Sequence, residues 1–119
     1  MSDYLTVEAR KHRRTALIAL RGEFDLVTVS KVAEVMDELS PDATGVRHVV
    51  VDLRGLTFMD LPALRELIRQ NEFARSNRHN LAVVRGTAPV QRLPTLTRVE
   101  DQLVLVDDPE DLAPPLWIQ

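Results

Sequence analysis

The 119-residue chain has no cysteine. That excludes a disulfide framework, a thiol redox switch, a thiolate nucleophile and a zinc site built on sulfur. Glycine is scarce, at four residues, all isolated, so no Gly-rich loop can cradle a phosphate. There is no nucleophile elbow of the Gly-x-Ser-x-Gly type. The three histidines, His12, His48 and His79, have no partner at metal-ligand spacing and read as surface or strand-edge residues. No apolar run reaches the length of a membrane span. No Lys/Arg-rich amphipathic helix suited to lying on a membrane is visible. The start, Met1-Ser2-Asp3-Tyr4, lacks the basic and apolar regions of a signal peptide, so a cytoplasmic location is the expectation. Neither an enzyme nor a cofactor is indicated.

Apolar residues make up 45%, enough for a core, and charged residues 28%, an ordinary soluble surface. The net charge of −3 argues against direct nucleic-acid binding, which needs a basic footprint. One basic run stands out, Arg10-Lys11-His12-Arg13-Arg14. It lies between two strand-like segments and reads first as a solvated hairpin turn, with a phosphate- or membrane-contacting patch as the other reading.

The length fits one compact domain, expected over residues 1–106, followed by a proline-rich tail over 107–119. Leu5 to Ala9 alternates apolar and polar residues, as a half-buried strand does, and Thr15 to Gly22 is more apolar; together they predict an antiparallel hairpin. Val29, Val32, Val35 or Met36, and Leu39 recur at helical spacing, with Asp25 or Thr28 available as a cap. Val49-Val50-Val51 does not alternate, which predicts a parallel strand covered on both faces. A helix follows from about Pro62 to Ser76, with Leu64, Leu67, Ile68 and Asn71 on one face. Leu81 to Val84 is a short buried strand. Ala88 to Leu93 starts a helix that Pro94 should kink or stop, since proline in a helix interior costs on the order of 3 kcal/mol. Leu103 to Val106 is a last strand, and the tail allows at most one short helical turn. The order β-β-α-β-α-β-α-β predicts an α/β fold: a small mixed sheet, hairpin first and parallel strands after, with helices packed on it.

Two acids sit where strands feed helices, Asp25 and Asp60. Both belong at the carboxyl end of the strands, where function gathers in open α/β sheets. A turn residue and an N-cap are the plainer readings of the two. Phe58 and Met59 read as a strand end packed under helices, and Trp117 as a tail residue packed on the domain or anchoring a partner.

"RGEFD" before the first helix, "VVVDLRGLTFMD" entering the second and "APVQRL" opening the third resemble the STAS domain, named for sulphate transporters and anti-sigma factor antagonists. The resemblance covers Leu5 to about Val106, and the free-standing length points to the bacterial antagonist branch. It implies a module that binds an anti-sigma factor that is also a serine kinase, and so regulates sigma-dependent transcription. In that branch the second corner reads Asp-Ser-Ser/Thr-Gly-Leu, and the first serine is the phosphoacceptor. Here the acid falls on Asp60, the phosphoacceptor position on Leu61, then Pro62, Ala63 and Leu64. The switch hydroxyl is gone. Thr57 is the nearest hydroxyl, a weak alternative acceptor expected to be shielded. The resemblance thus implies a contact face of Phe24, Asp25, Asp60, Leu61, Pro62 and Arg65. The alternative is a scaffold or accessory subunit, a homodimer or a component of a transport complex, that uses the same corner for packing.

Overall fold

A computed structural model of the chain describes residues 4–39, 44–97 and 102–111. Strands β1 (Leu5–His12) and β2 (Thr15–Phe24) form the antiparallel hairpin. Helix α1 (Val29–Glu38) leads to β3 (His48–Met59), α2 (Leu61–Ser76) to β4 (Asn80–Val84), and α3 (Ala88–Thr97) to β5 (Val104–Val106). A 3-10 turn follows at Pro109–Asp111, as the tail's composition allowed. The five strands lie in chain order, β1 to β5, and every pair after the hairpin is parallel.

The core explains this arrangement. Ile18, Leu20 and Phe24 of β2, Val51 and Leu53 of β3, and Leu81 and Val83 of β4 form one cluster. Val32 of α1, Leu64 and Leu67 of α2, and Val90 of α3 join the same cluster. All three helices therefore bury their apolar stripes against one face of the sheet. Stepwise right-handed crossovers in a single direction produce that layering. On the other face Val50, Ala82 and Val84 are buried as well, so the unbroken Val49-Val50-Val51 run matches a strand shielded on both sides.

Three local expectations differ from the structure. Strand β1 runs to His12, so only Arg13 and Arg14 make the turn, with Arg13 at a left-handed φ of 55°. Helix α3 continues past Pro94 to Thr97 instead of stopping. Pro94 is buried, and the ring's burial offsets part of the cost of the backbone hydrogen bond it forgoes. Phe58 is not packed under helices; it is 49% exposed, while its neighbour Met59 is buried as expected.

Candidate functional site

Phe24 and Met59 are register partners at the carboxyl ends of β2 and β3. The two strand-to-helix loops therefore leave the sheet side by side. The Asp60 amide donates to the Phe24 carbonyl at 3.3 Å, extending the pairing into the loops. The Asp60 carboxylate then bonds in both directions. Oδ1 accepts from the Ala63 amide at 3.0 Å, capping α2, and Oδ2 accepts from the Leu26 amide at 3.0 Å. One side chain thus satisfies a free donor of its own helix and fixes the neighbouring loop.

The first loop is equally tied. Asp25 Oδ1 accepts from the amides of Val27 at 2.9 Å and Thr28 at 3.1 Å. The Thr28 hydroxyl accepts from the Asp25 amide and donates to the Glu23 carbonyl, both at 2.9 Å. Thr28 stands at the N-cap position of α1 yet uses its hydroxyl within the loop, not on the helix. With the backbone folded inward onto these polar groups, the intervening side chains point outward. Leu26 is 67% and Val27 70% exposed, and Leu61 across the Asp60 bridge is 37% exposed. An apolar knuckle results, contributed by two loops and held by two carboxylates.

The residues of the sequence-derived face separate accordingly. Asp25 and Asp60 do lie together, as braces of the knuckle. Leu61 opens α2, Pro62 occupies its first turn, where a missing N–H costs little, and Arg65 is exposed four residues beyond Leu61 on the same helix face. Phe24 does not take part: it is fully buried, because its place in β2 turns the ring into the core. Thr57 is exposed instead of shielded, and its hydroxyl donates to the Gly22 carbonyl at 3.2 Å. Trp117 lies outside the described residues. Leu26 and Val27 are the residues the sequence reading passed over. Their signal is an adjacent apolar pair, off the helical spacing of Val29 and Val32, enclosed by an acid and a capping threonine.

Away from this corner, a cavity of about 390 Å³ opens between α1 and α2, lined by Met36, Leu39, Val49, Phe73 and Leu81 with Asp37, Arg69 and His79 at its polar side. Beside it the buried carboxylate of Glu66 accepts from Arg69 and from the Gln70 amide. His48 Nδ1 lies 3.0 Å from the Asn80 amide nitrogen. Burial, and secondly the positive field of Arg14, hold its imidazole below the usual histidine range. Among the described residues no group of His, Asp and Glu converges as a metal site, and no helix is long and apolar enough to cross a membrane.

Comparison with known proteins places these features. The family described as Mlab, STAS domain matches residues 7–107. No curated protein matches the sequence. Among solved structures, an anti-sigma factor antagonist from Mycobacterium paratuberculosis superposes with a TM-score of 0.81 at 21% identity, over 93% of this chain and 92% of that one. The Bacillus cell fate determinant SpoIIAA in its phosphorylated form gives 0.67 at 13% identity, over 89% and 96%. The murine anion transporter Slc26a9 gives 0.67 at 12% identity, over 81% of this chain but 16% of the transporter. At these identities the likeness is one of fold.

Proposed function

The chain belongs to the STAS domain family, and from that premise we propose that it is a protein-binding module of the anti-sigma factor antagonist type. It would dock a kinase-type anti-sigma factor through the corner of Leu26, Val27, Leu61, Pro62 and Arg65, with Asp25 and Asp60 holding the loops. The observation that carries this reading is the knuckle itself. Three apolar side chains are kept in water by a hydrogen-bonded frame that leaves them no inward alternative. Exposed, rigid apolar groups of this kind supply the buried centre of an interface at little entropic cost.

The same corner supports constitutive binding. In the antagonists that the sequence resembles, the residue after the acid carries the hydroxyl that is phosphorylated. A phosphate there would sit on the α2 N-terminus beside Asp60 and bring nearly two negative charges into the docked surface. Leu61 has no hydroxyl. The partner can therefore bind through this position but cannot release itself by modifying it.

A second reading, an accessory subunit of a transport complex, is favoured by the match of this fold to a segment of an anion transporter. Affinity capture with native and Leu61→Asp bait separates the two. The antagonist reading expects the native bait to recover an anti-sigma kinase, the variant to lose it, and ATP to leave the intact mass of the native protein unchanged. Leu61→Ser should gain a single phosphate from that kinase. Recovery of transporter components, or of no kinase at all, would overturn it.

A further inference from the structure

We propose that the end of the sheet opposite the knuckle is a docking surface for anionic lipid headgroups. The argument starts from what the fold brings together. The Arg14 carbonyl accepts from the amides of Arg47 at 2.7 Å and His48 at 3.0 Å, and the Arg47 carbonyl accepts from Asn80 at 2.9 Å. Thr15, His48 and Asn80 are in register across β2, β3 and β4. Arg14, Arg47 and His79 each precede one of these by a single residue, so at a strand spacing of about 4.8 Å their backbones are neighbours. The hairpin adds Arg10, Lys11 and Arg13, and the α2–β4 loop adds Arg78. All six cations, Arg10, Lys11, Arg13, Arg14, Arg47 and Arg78, are exposed, and among the described residues none pairs with a carboxylate. The described carboxylates at this end are Asp37 and Glu38, which close α1, and Glu72 in the last turns of α2 beside Arg75; Asp37 faces Arg69 across the cavity.

Geometry selects the ligand. A protein interface needs an apolar centre. The exposed large apolar side chains lie elsewhere, apart from Phe73 near the end of α2 and Val104 at the start of the edge strand β5, which are too few and too scattered to form such a centre. The chain as a whole carries −3, yet among the described residues this pole gathers six exposed cations that have no carboxylate partner. A planar anionic surface touches the pole alone. The far side of a molecule 33 × 31 × 23 Å across then stands up to several screening lengths away, at about 8 Å each, so its acids weigh less than the cations in contact. A nucleic acid followed along its length would meet the acidic remainder as well. Arginine suits the task, because its fork binds phosphate oxygens in pairs, and the exposed Phe73, which lines the cavity with His79 at the same end of α2, can add a shallow apolar contact.

The test is co-sedimentation of the whole chain with vesicles of equal parts phosphatidylcholine and phosphatidylglycerol. Native protein should sediment at low salt, should not sediment with phosphatidylcholine alone, and should be released as salt screens the contact. Arg10→Gln/Arg14→Gln/Arg47→Gln should bind roughly a hundredfold more weakly, and each single change roughly fivefold more weakly should the triple variant fold poorly. Leu61→Asp should bind as native does. No sedimentation at low salt, native-like binding by the single and triple variants, loss in Leu61→Asp, or displacement by DNA duplex at lower phosphate concentration than free vesicles would each overturn the assignment.

Discussion

Asp60 is the residue on which the corner turns, because one carboxylate serves both the α2 cap and the Leu26 amide. Asp60→Ala removes the two together. The cap alone is worth about 1 kcal/mol, and the released Leu26 loop adds a further part. We expect a loss of about 1–2 kcal/mol in urea unfolding, with partner capture falling further than stability does, since Leu26 and Val27 lose their fixed directions. Leu61→Ser, at a partly exposed helix start, should change stability by less than about 0.5 kcal/mol. His48 provides a pH signature. Its folded imidazole titrates below the unfolded value of about 6.5, so the unfolded state takes up a proton first as the solution is acidified. The His48 contribution is intact above that value and is lost as pH falls through the folded pKa. His48→Gln should therefore flatten the drop in urea midpoint between about pH 7.5 and pH 5, relative to the native protein.

At the scale of elements, β2 delivers the first loop, and Gly22 decides how. It adopts a φ of +105°, and a Cβ there would run into the carbonyl oxygen of Tyr4, the residue before β1. The pairing of β2 with β3 shifts register between Gly22 and Glu23, which re-aims the strand end toward the corner. Gly22→Ala should cost roughly 2–4 kcal/mol, from the left-handed backbone and the clash together, read as a lowered denaturation midpoint. In α3 the opposite change is informative. Pro94→Ala restores an amide to the helix at a gain near 3 kcal/mol and gives up ring packing of about 1–2 kcal/mol. A net stabilisation of about 1–2 kcal/mol should appear as a rise of several degrees in melting temperature.

For the whole molecule, parallel strands and antiparallel-running helices create two unlike ends. The carboxyl ends of β2 and β3 present Leu26, Val27 and Leu61; the amino ends of β2, β3 and β4 gather the arginines. The two ends are separated by the length of the strands, so variants at one should leave the other untouched. Paired measurements check this: Leu26→Asp should abolish partner capture and keep vesicle sedimentation, whereas Arg14→Gln should keep partner capture and weaken vesicle binding roughly fivefold.

The sequence by itself determined the element order, the hairpin, the doubly buried β3 and the N-cap at Asp60. Each of these is written in residues close along the chain: alternation, helical spacing, and an acid before a proline-started helix. It also determined that the position after Asp60 carries no hydroxyl. Only the tertiary structure decided which groups share a surface. Phe24 looks like a contact residue in "RGEFD", but strand register turns it into the core; Leu26 and Val27 look like loop filler until Asp60, 34 positions beyond Leu26, and Asp25 hold their amides and leave their side chains in water. Pro94 reads as a helix breaker, and the helix runs past it because burial of its ring and the packing of the whole element outweigh that local cost. Arg47 and Arg78 are unremarkable in sequence and join Arg14 only because parallel pairing sets the starts of three strands side by side. Local chemistry fixes local structure, whereas long-range register fixes what a surface is made of.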